Sequence, residues 1–379
     1  MNQRTSTPTI ALQTTTLGGG GTERYVEDLA IGLSGRGARV AVIVDHPPLS
    51  RKAAVEKHSI PVIVIGHQCQ TDSEYEAKLT QSLTHVDPHI LHINAWESRD
   101  IIKRTARKLG IQTVTTHHHT TLPIRWRELA GLTRRPLQLY SEAVRAYCER
   151  PCILCVSKTS QENLRRRWPL GCEHVRQVYY GVRDYRKAEG TTSSDHSDAD
   201  GPLVLWSGSM IDRKRPSLAL RLFRQVLNHV PAARLEMLGD GPLLGSIRHE
   251  ARDLQYRVTI PGYVDDIAAK LRSAALLLHT ATYEGIPYSA IEALAAGIPV
   301  VATAAGAIHE AVIDGENGRV FRASDTSTMA QAIERLLLDN DFRRDMGGKA
   351  YAQYQKAFRL DQMITRTIDA YRDICQIPI

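Results

Sequence analysis

Aromatic residues make up only 6% of the 379 residues, and just six cysteines are present. So few thiols in so long a chain exclude a disulfide-built scaffold. No uninterrupted apolar run reaches the ~18 residues needed to span a bilayer, and the opening MNQRTSTPTIALQTTT lacks the long apolar stretch of a secretory leader. The expectation is a soluble, cytoplasmic protein. Three chemical signatures are missing as well. No G-x-G-x-x-G register runs on into a helix, no Lys-Ser/Thr follows the glycines as in a P-loop, and no D-x-D pair stands at a suitable strand end. There is no internal repeat.

What the chain does have is 42% apolar and 23% charged content, enough for a sizeable core and, at ~150 residues per domain, for two domains. Lys plus Arg number 48 against 41 acids, a net charge of +7, which admits a polyanion, an anionic membrane face or a phosphorylated small substrate. The basic runs RKRP and RRRW lack interleaved aromatics at the spacing of a base-stacking platform, which argues against nucleic acid. Cys148, Cys152, Cys155 and Cys172 lie close in sequence, and the first three read C-x3-C-x2-C. CILCV is however an apolar, strand-like run in which an offset of three points to opposite faces, so buried structural thiols are favoured over a metal cluster.

From residue 9 onward short apolar strands alternate with amphipathic helical stretches, the habit of a parallel sheet wrapped by helices. TIALQTT, ARVAVIVD, IPVIVIG, HILHIN, IQTVTT and PCILCVS are predicted strands, with helices at 22–35, 74–83 and 99–109. The polar stretch KAEGTTSSDHSDADGP reads as a linker. After it PLVLWSG, ARLEMLGD, VTIPGY, ALLLHTA and IPVVATA restart the pattern, with helices at 216–229, 242–252, 265–273 and 289–296. The predicted fold class is α/β, two doubly wound Rossmann-like domains: 1–186, a linker over 187–201, 202–360, and a terminal helix over 361–379 crossing back to the first domain. Tandem domains of this kind bind ligand where the carboxyl ends of their strands meet in a cleft.

Four stretches carry candidate chemistry. Gly18 to Gly21 follow the first strand and open the first helix, either an anion site of backbone N–H groups or a plain turn. Glu284 precedes, and Glu292 lies inside, the helix marked by Pro287 and Ser289; they either frame a ligand at a helix N-terminus or are two solvated acids. Arg213, Lys214 and Arg215, at the end of the strand PLVLW, are placed to neutralise a diphosphate, or form a solvated basic turn. His117, His118 and His119 end the strand IQTVTT, where alternation prevents all three from meeting one metal ion.

In this order and at these element ends, the four stretches resemble retaining glycosyltransferase family 4, with its GT-B architecture. The most specific part is EGIPYSAIEALAAGIPVVATAAGAIHEAVIDGENGRVF, similar to the family's E-x7-E signature and the strand and glycine turn after it. VSKTSQENL, YYGV, LGDGP and IPGYVDD fall at further family landmarks. The resemblance implies that Gly19, Gly20 and Gly21 meet the donor diphosphate and the acceptor side, and that His118 lies near the donor sugar. It implies Lys214 at the diphosphate, Glu284 at the hydroxyls of the transferred sugar and Glu292 at the nucleotide ribose. Ser209, Arg213, Gly285, Ile286, Pro287, Tyr288 and Ser289 complete the expected donor set, while Ala305, Gly306 and Ala307 form a turn near the sugar and phosphates. His117, His119, Arg125 and Trp126 are assigned to the acceptor.

The sequence departs from the family at Ser209, where an arginine is usual and Arg213 or Arg215 could supply the charge, and at Pro287, Tyr288 and Tyr180. The expected reaction moves a hexose-type sugar from a UDP-sugar to a saccharide or lipid-linked acceptor in envelope polysaccharide synthesis, with helix dipoles and cations in place of a metal and no cofactor. A small acceptor such as an aminocyclitol, a nucleotide-sugar epimerase and a catalytically silent sugar-binding relative are the alternatives. The basic, aromatic stretch LPIRWRELAGLTRRPLQLYSEAVRAYCER suggests peripheral contact with an anionic membrane.

Overall fold

The computed structural model describes residues 7–66, 69–94, 99–118, 152–167, 173–186, 201–254, 256–265 and 267–375. The chain divides into two compact units, residues 1–179 with 360–379 and residues 180–359. This corrects the expected boundary at 186, because residues 180–186 belong to the second unit. Val182 N donates to Phe358 O at 3.0 Å, and the Tyr288 hydroxyl donates to Gly181 O at 3.3 Å. Tyr180, Val182 and Tyr185 are buried. Polarity marks where a chain is solvated, not which core its apolar side chains join. Of the expected linker only Gly201 lies within the described residues.

The first unit holds a parallel sheet of β1 (Thr9–Thr14), β2 (Arg39–Val44), β3 (Val62–Val64), β4 (Ile90–Ile93), β5 (Gln112–His117), β6 (Cys152–Cys155) and β7 (Val175–Gln177), in the order β3-β2-β1-β4-β5-β6-β7. The six apolar runs are strands; β7 is an addition, an edge strand reading VRQ that has no apolar run to signal it. Helices α1 (Gly21–Ser34), α2 (Lys52–Glu56), α3 (Asp72–Val86), α4 (Arg99–Lys108) and α5 (Lys158–Arg167) alternate with the strands. Because β1 pairs with both β2 and β4, the chain reverses its direction of travel across the sheet there. Doubly wound sheets bind their ligands outside the carboxyl ends of the strands at such a switch point.

In β6, Cys155 shares a core with Ile153, Leu164 and Val175, while Cys152, three residues away, is on the other face. Burial pushes the Cys152 thiol up to about 11. Among the described residues no three His, Cys, Asp or Glu side chains are grouped to hold a metal. Cys148 and Cys172 lie outside the described residues.

The second unit is built on β8 (Leu203–Ser207), β9 (Arg234–Leu238), β10 (Val258–Gly262), β11 (Leu276–His279), β12 (Val300–Thr303) and β13 (Gly318–Phe321), all parallel, in the order β10-β9-β8-β11-β12-β13. Its switch point lies between β8 and β11, which pair through Leu276 with Val204 and Leu277 with Leu205. Helices α6 (Pro216–Leu227), α7 (Leu244–Glu250), α8 (Ile267–Ser273), α9 (Tyr288–Ala296), α10 (Ile308–Ala311), α11 (Thr326–Leu338) and α12 (Asn340–Ala357) cover the sheet. The core packs Trp206 and Phe223 among aliphatic side chains.

Three helices close the described part of the chain. Asp339 stops α11 and caps α12 by accepting from Phe342 N at 2.9 Å. The last, α13 (Leu360–Cys375), belongs to the first unit. There it lies close on α1, where a β-carbon on Gly32 would collide with Ile364.

Candidate functional site

At the switch point of the second unit, the loop after β8 and the loop after β11 are stitched together. Asp212–Lys214 form one 3-10 turn ahead of α6. The Thr280 hydroxyl accepts from Trp206 Nε1 at 2.9 Å and donates to Lys214 O at 2.8 Å and Arg215 O at 3.1 Å. Thr282 N donates to Arg213 O at 2.9 Å. This backbone clamp presents the cations to Glu284: Lys214 Nζ lies 2.5 Å and Arg213 Nη1 3.1 Å from Glu284 Oε1. Arg213 also donates to Tyr283 O at 2.9 Å.

The carboxylate is nearly buried, and burial alone would raise its pKa. Lys214, His279 and Arg213 outweigh that and hold it below the usual range. Burial pushes the neighbouring His279 down to about 4, with Lys214 and Arg213 adding to the effect and Glu284 opposing it. The outcome is an ionised acid between two cations, with a neutral imidazole close by. Such a cluster can accept from sugar hydroxyls through the acid and stabilise phosphate charge through the cations.

Two glycine turns support the clamp. In LGDGP, Gly239 has φ +140° and Gly241 φ +149°, and a β-carbon on either would run into the backbone of Gly208 or Met210. These two glycines let that turn lie against the loop that carries Lys214. The turn at Ala305, Gly306 and Ala307 is tied to the Glu284 loop by Ala307 N donating to Gly285 O at 2.9 Å.

Glu292 lies inside α9, buried, and accepts from the Tyr185 hydroxyl at 3.2 Å. Neither glutamate is the solvated acid that sequence alone leaves open. The side chains of Ile286 and Tyr288 are packed in the unit, and the Tyr288 ring meets that of Tyr180 at 5.4 Å with the planes tilted by 59°. The two tyrosines that depart from the family pattern thus contact each other. Ser209 is exposed.

In the first unit, Gly18 to Gly21 join β1 to α1. Glu23 folds back over Gly20, filling the space of a β-carbon there, and accepts from Thr16 Oγ1 at 2.7 Å. The chain's own carboxylate therefore sits at this helix N-terminus and weakens its attraction for an anion. At the end of β5, His118 Nε2 donates to Asn94 Oδ1 at 3.2 Å, and its ring meets the edge of Tyr25 at 5.3 Å. Below it His92 bonds Thr116 Oγ1 at 2.5 Å and the Tyr371 hydroxyl of α13 at 2.6 Å. His117 pairs in register with Cys155, while His119, Arg125 and Trp126 lie outside the described residues.

The sequence reading missed Asn94, Tyr185, His279 and Thr280. His279 and Thr280 carry a faint signal, two polar residues closing the apolar run ALLLHTA.

The profile of the family described as Glycosyltransferase Family 4 matches residues 19–186, and that described as Glycosyl transferases group 1 matches residues 201–339. The chain belongs to glycosyltransferase family 4. Among its relatives, N-acetyl-alpha-D-glucosaminyl L-malate synthase of Bacillus anthracis is 28% identical over 163 residues, 42% of this chain and 42% of that protein. The chain therefore spans about two-fifths of that relative. D-inositol 3-phosphate glycosyltransferase 1 of Catenulispora acidiphila is 26% identical over 87% of this chain and 81% of its own length. Among solved structures, Anabaena HepE in complex with UDP and glucose superposes with a TM-score of 0.80 at 19% identity, covering 97% of this chain and all of that one. The fold is that of the GT-B glycosyltransferases.

Proposed function

We propose that the chain transfers a hexose-type sugar, with retention, from a UDP-sugar to a hydroxyl of a saccharide or lipid-linked saccharide in envelope polysaccharide synthesis. The observation that carries this reading is the Arg213–Lys214–Glu284 cluster at the switch point of the second unit, within the segment matched to the glycosyl transferases. Lys214 and Arg213 hold the diphosphate and stabilise the charge that grows on the leaving phosphate as the glycosidic bond breaks. When the diphosphate arrives, the cations exchange part of their pairing with Glu284 for phosphate, and Glu284 accepts from the hydroxyls of the transferred sugar. Glu292 takes the ribose. His118, oriented by Asn94, serves the sugar. HepE's complex with UDP and glucose supports a uridine nucleotide as the donor.

For the acceptor, the carboxylate of Glu23 beside the glycine turn favours a hydroxyl-bearing or amino-bearing molecule over a phosphorylated one. A small polyol or aminocyclitol is the second reading on that ground. No helix among the described residues is long and apolar enough to cross a membrane. The stretch on which peripheral membrane contact was expected lies outside the described residues.

A thermal-shift and turnover screen over nucleotide sugars, run on the native chain and on Lys214→Ala, tests the donor assignment. A ligand at 100 times its Kd stabilises by about 2.7 kcal/mol, which is readily seen. Lys214→Ala should lower kcat/KM by about a hundredfold or more. Unchanged turnover in that variant removes the phosphate clamp. In the same screen an absolute requirement for acceptor phosphate removes the role given to Glu23.

A further inference from the structure

The carboxyl end of β11 holds a group that the reading above leaves unused. Leu276, Leu277, Leu278 and His279 form the strand, and all four are buried, His279 at 3% exposure. Its Nε2 is buried with no hydrogen-bond partner among the described residues. The adjoining polar groups are matched. Thr280 uses its hydroxyl in three hydrogen bonds, and the Thr303 hydroxyl donates to Ala281 O at 2.6 Å. A leucine at 279 would continue the strand and bury no polar atom, so the imidazole costs stability where it stands.

Its position indicates what it serves. β11 borders the switch point, and the charges acting on His279 are those of Lys214, Glu284 and Arg213, the cluster placed at the donor diphosphate. We propose that His279 is a further donor-binding residue, whose Nε2 completes its hydrogen bonding with an oxygen of the nucleotide sugar. The assignment rests on the nucleotide-sugar reading of that cluster. A phosphate oxygen would accept from Nε2–H, and a sugar hydroxyl would pair with either tautomer. Being neutral, the imidazole adds a directed hydrogen bond beside two cations without adding a third positive charge.

The test uses the full chain as native protein, His279→Leu and His279→Asn, the last retaining an N–H donor. Calorimetry gives the Kd for UDP and for UDP-glucose, and a thermal melt without nucleotide gives the midpoint. We expect His279→Leu to melt at the native temperature or above, because an unmatched polar atom has gone, and to bind UDP-glucose about tenfold or more weakly. His279→Asn should recover part of the loss. An equal loss for UDP places the contact on the diphosphate, and a loss confined to UDP-glucose places it on a sugar hydroxyl. If His279→Leu binds both as the native chain does, whether or not its midpoint falls, the imidazole is structural and the proposal is overturned. If the native chain binds neither, the nucleotide-sugar reading fails first and takes this assignment with it.

Discussion

His92 and His279 are both buried imidazoles held neutral, but His92 is bonded at both nitrogens and His279 is not bonded at Nε2. Burial takes His92 from 6.5 down to about 3. The unfolded chain therefore binds a proton at higher pH than the folded one does, and the stability contributed by neutral His92 is fully present above 6.5 and drains away as pH falls toward 3. Between pH 6.5 and 4 the loss from this residue should be about 3 kcal/mol. Urea unfolding of the native chain should weaken across that window, and His92→Gln should flatten the dependence even if it lowers stability at pH 7. An identical slope in the variant would assign the acid sensitivity elsewhere. Glu284 acts in the same direction at lower pH, since its depressed pKa means that stability is lost as the carboxylate takes a proton.

At the scale of elements, the Arg213–Lys214–Glu284 cluster of the second unit depends on how closely three turns can approach. Gly239 has φ +140°, and a β-carbon there would overlap the carbonyl of Gly208, two residues beyond Trp206 in the loop that leads to Lys214. Gly239→Ala should cost about 3 kcal/mol or more through strain and backbone displacement, visible as a lowered denaturation midpoint. Any folded remainder should bind donor weakly, because the displaced backbone is what the 3-10 turn rests on. Full stability in Gly239→Ala would show that the turn relaxes without cost. In the first unit Gly32 plays a comparable part, opening the face of α1 on which α13 lies.

For the whole molecule, the chain end is structural material of the first unit. Ile364, Ile368 and Tyr371 of α13 are buried, and Tyr371 supplies one of the two bonds to His92. Truncation after Arg359 should uncover this face of α1, leave one nitrogen of His92 unmatched and abolish the cooperative unfolding of the first unit, while residues 180–359 keep theirs. Calorimetry combined with limited proteolysis reads the two separately. A truncated chain with both transitions at their original temperatures would show that α13 is dispensable.

Most strands were legible because a parallel strand covered on both faces reads as a near-continuous apolar run, as VAVIV in β2 and LVLW in β8 do; β7 (VRQ) and β13 (GRVF) are edge strands with an arginine inside and carry no such run. The order of glycine turn, basic turn and E-x7-E motif named the chemistry, since each motif is local. The domain boundary falls earlier than expected because Tyr180, Val182 and Tyr185 are held by Tyr288, Phe358 and Glu292, partners far along the chain that no local pattern reports. Likewise the sequence contained Glu284, Lys214 and His279 but gave no distance between residues some seventy positions apart. Only the β8–β11 pairing, through Leu276 with Val204, decided that the acid meets two cations and that the imidazole beside them is left with an unmatched nitrogen.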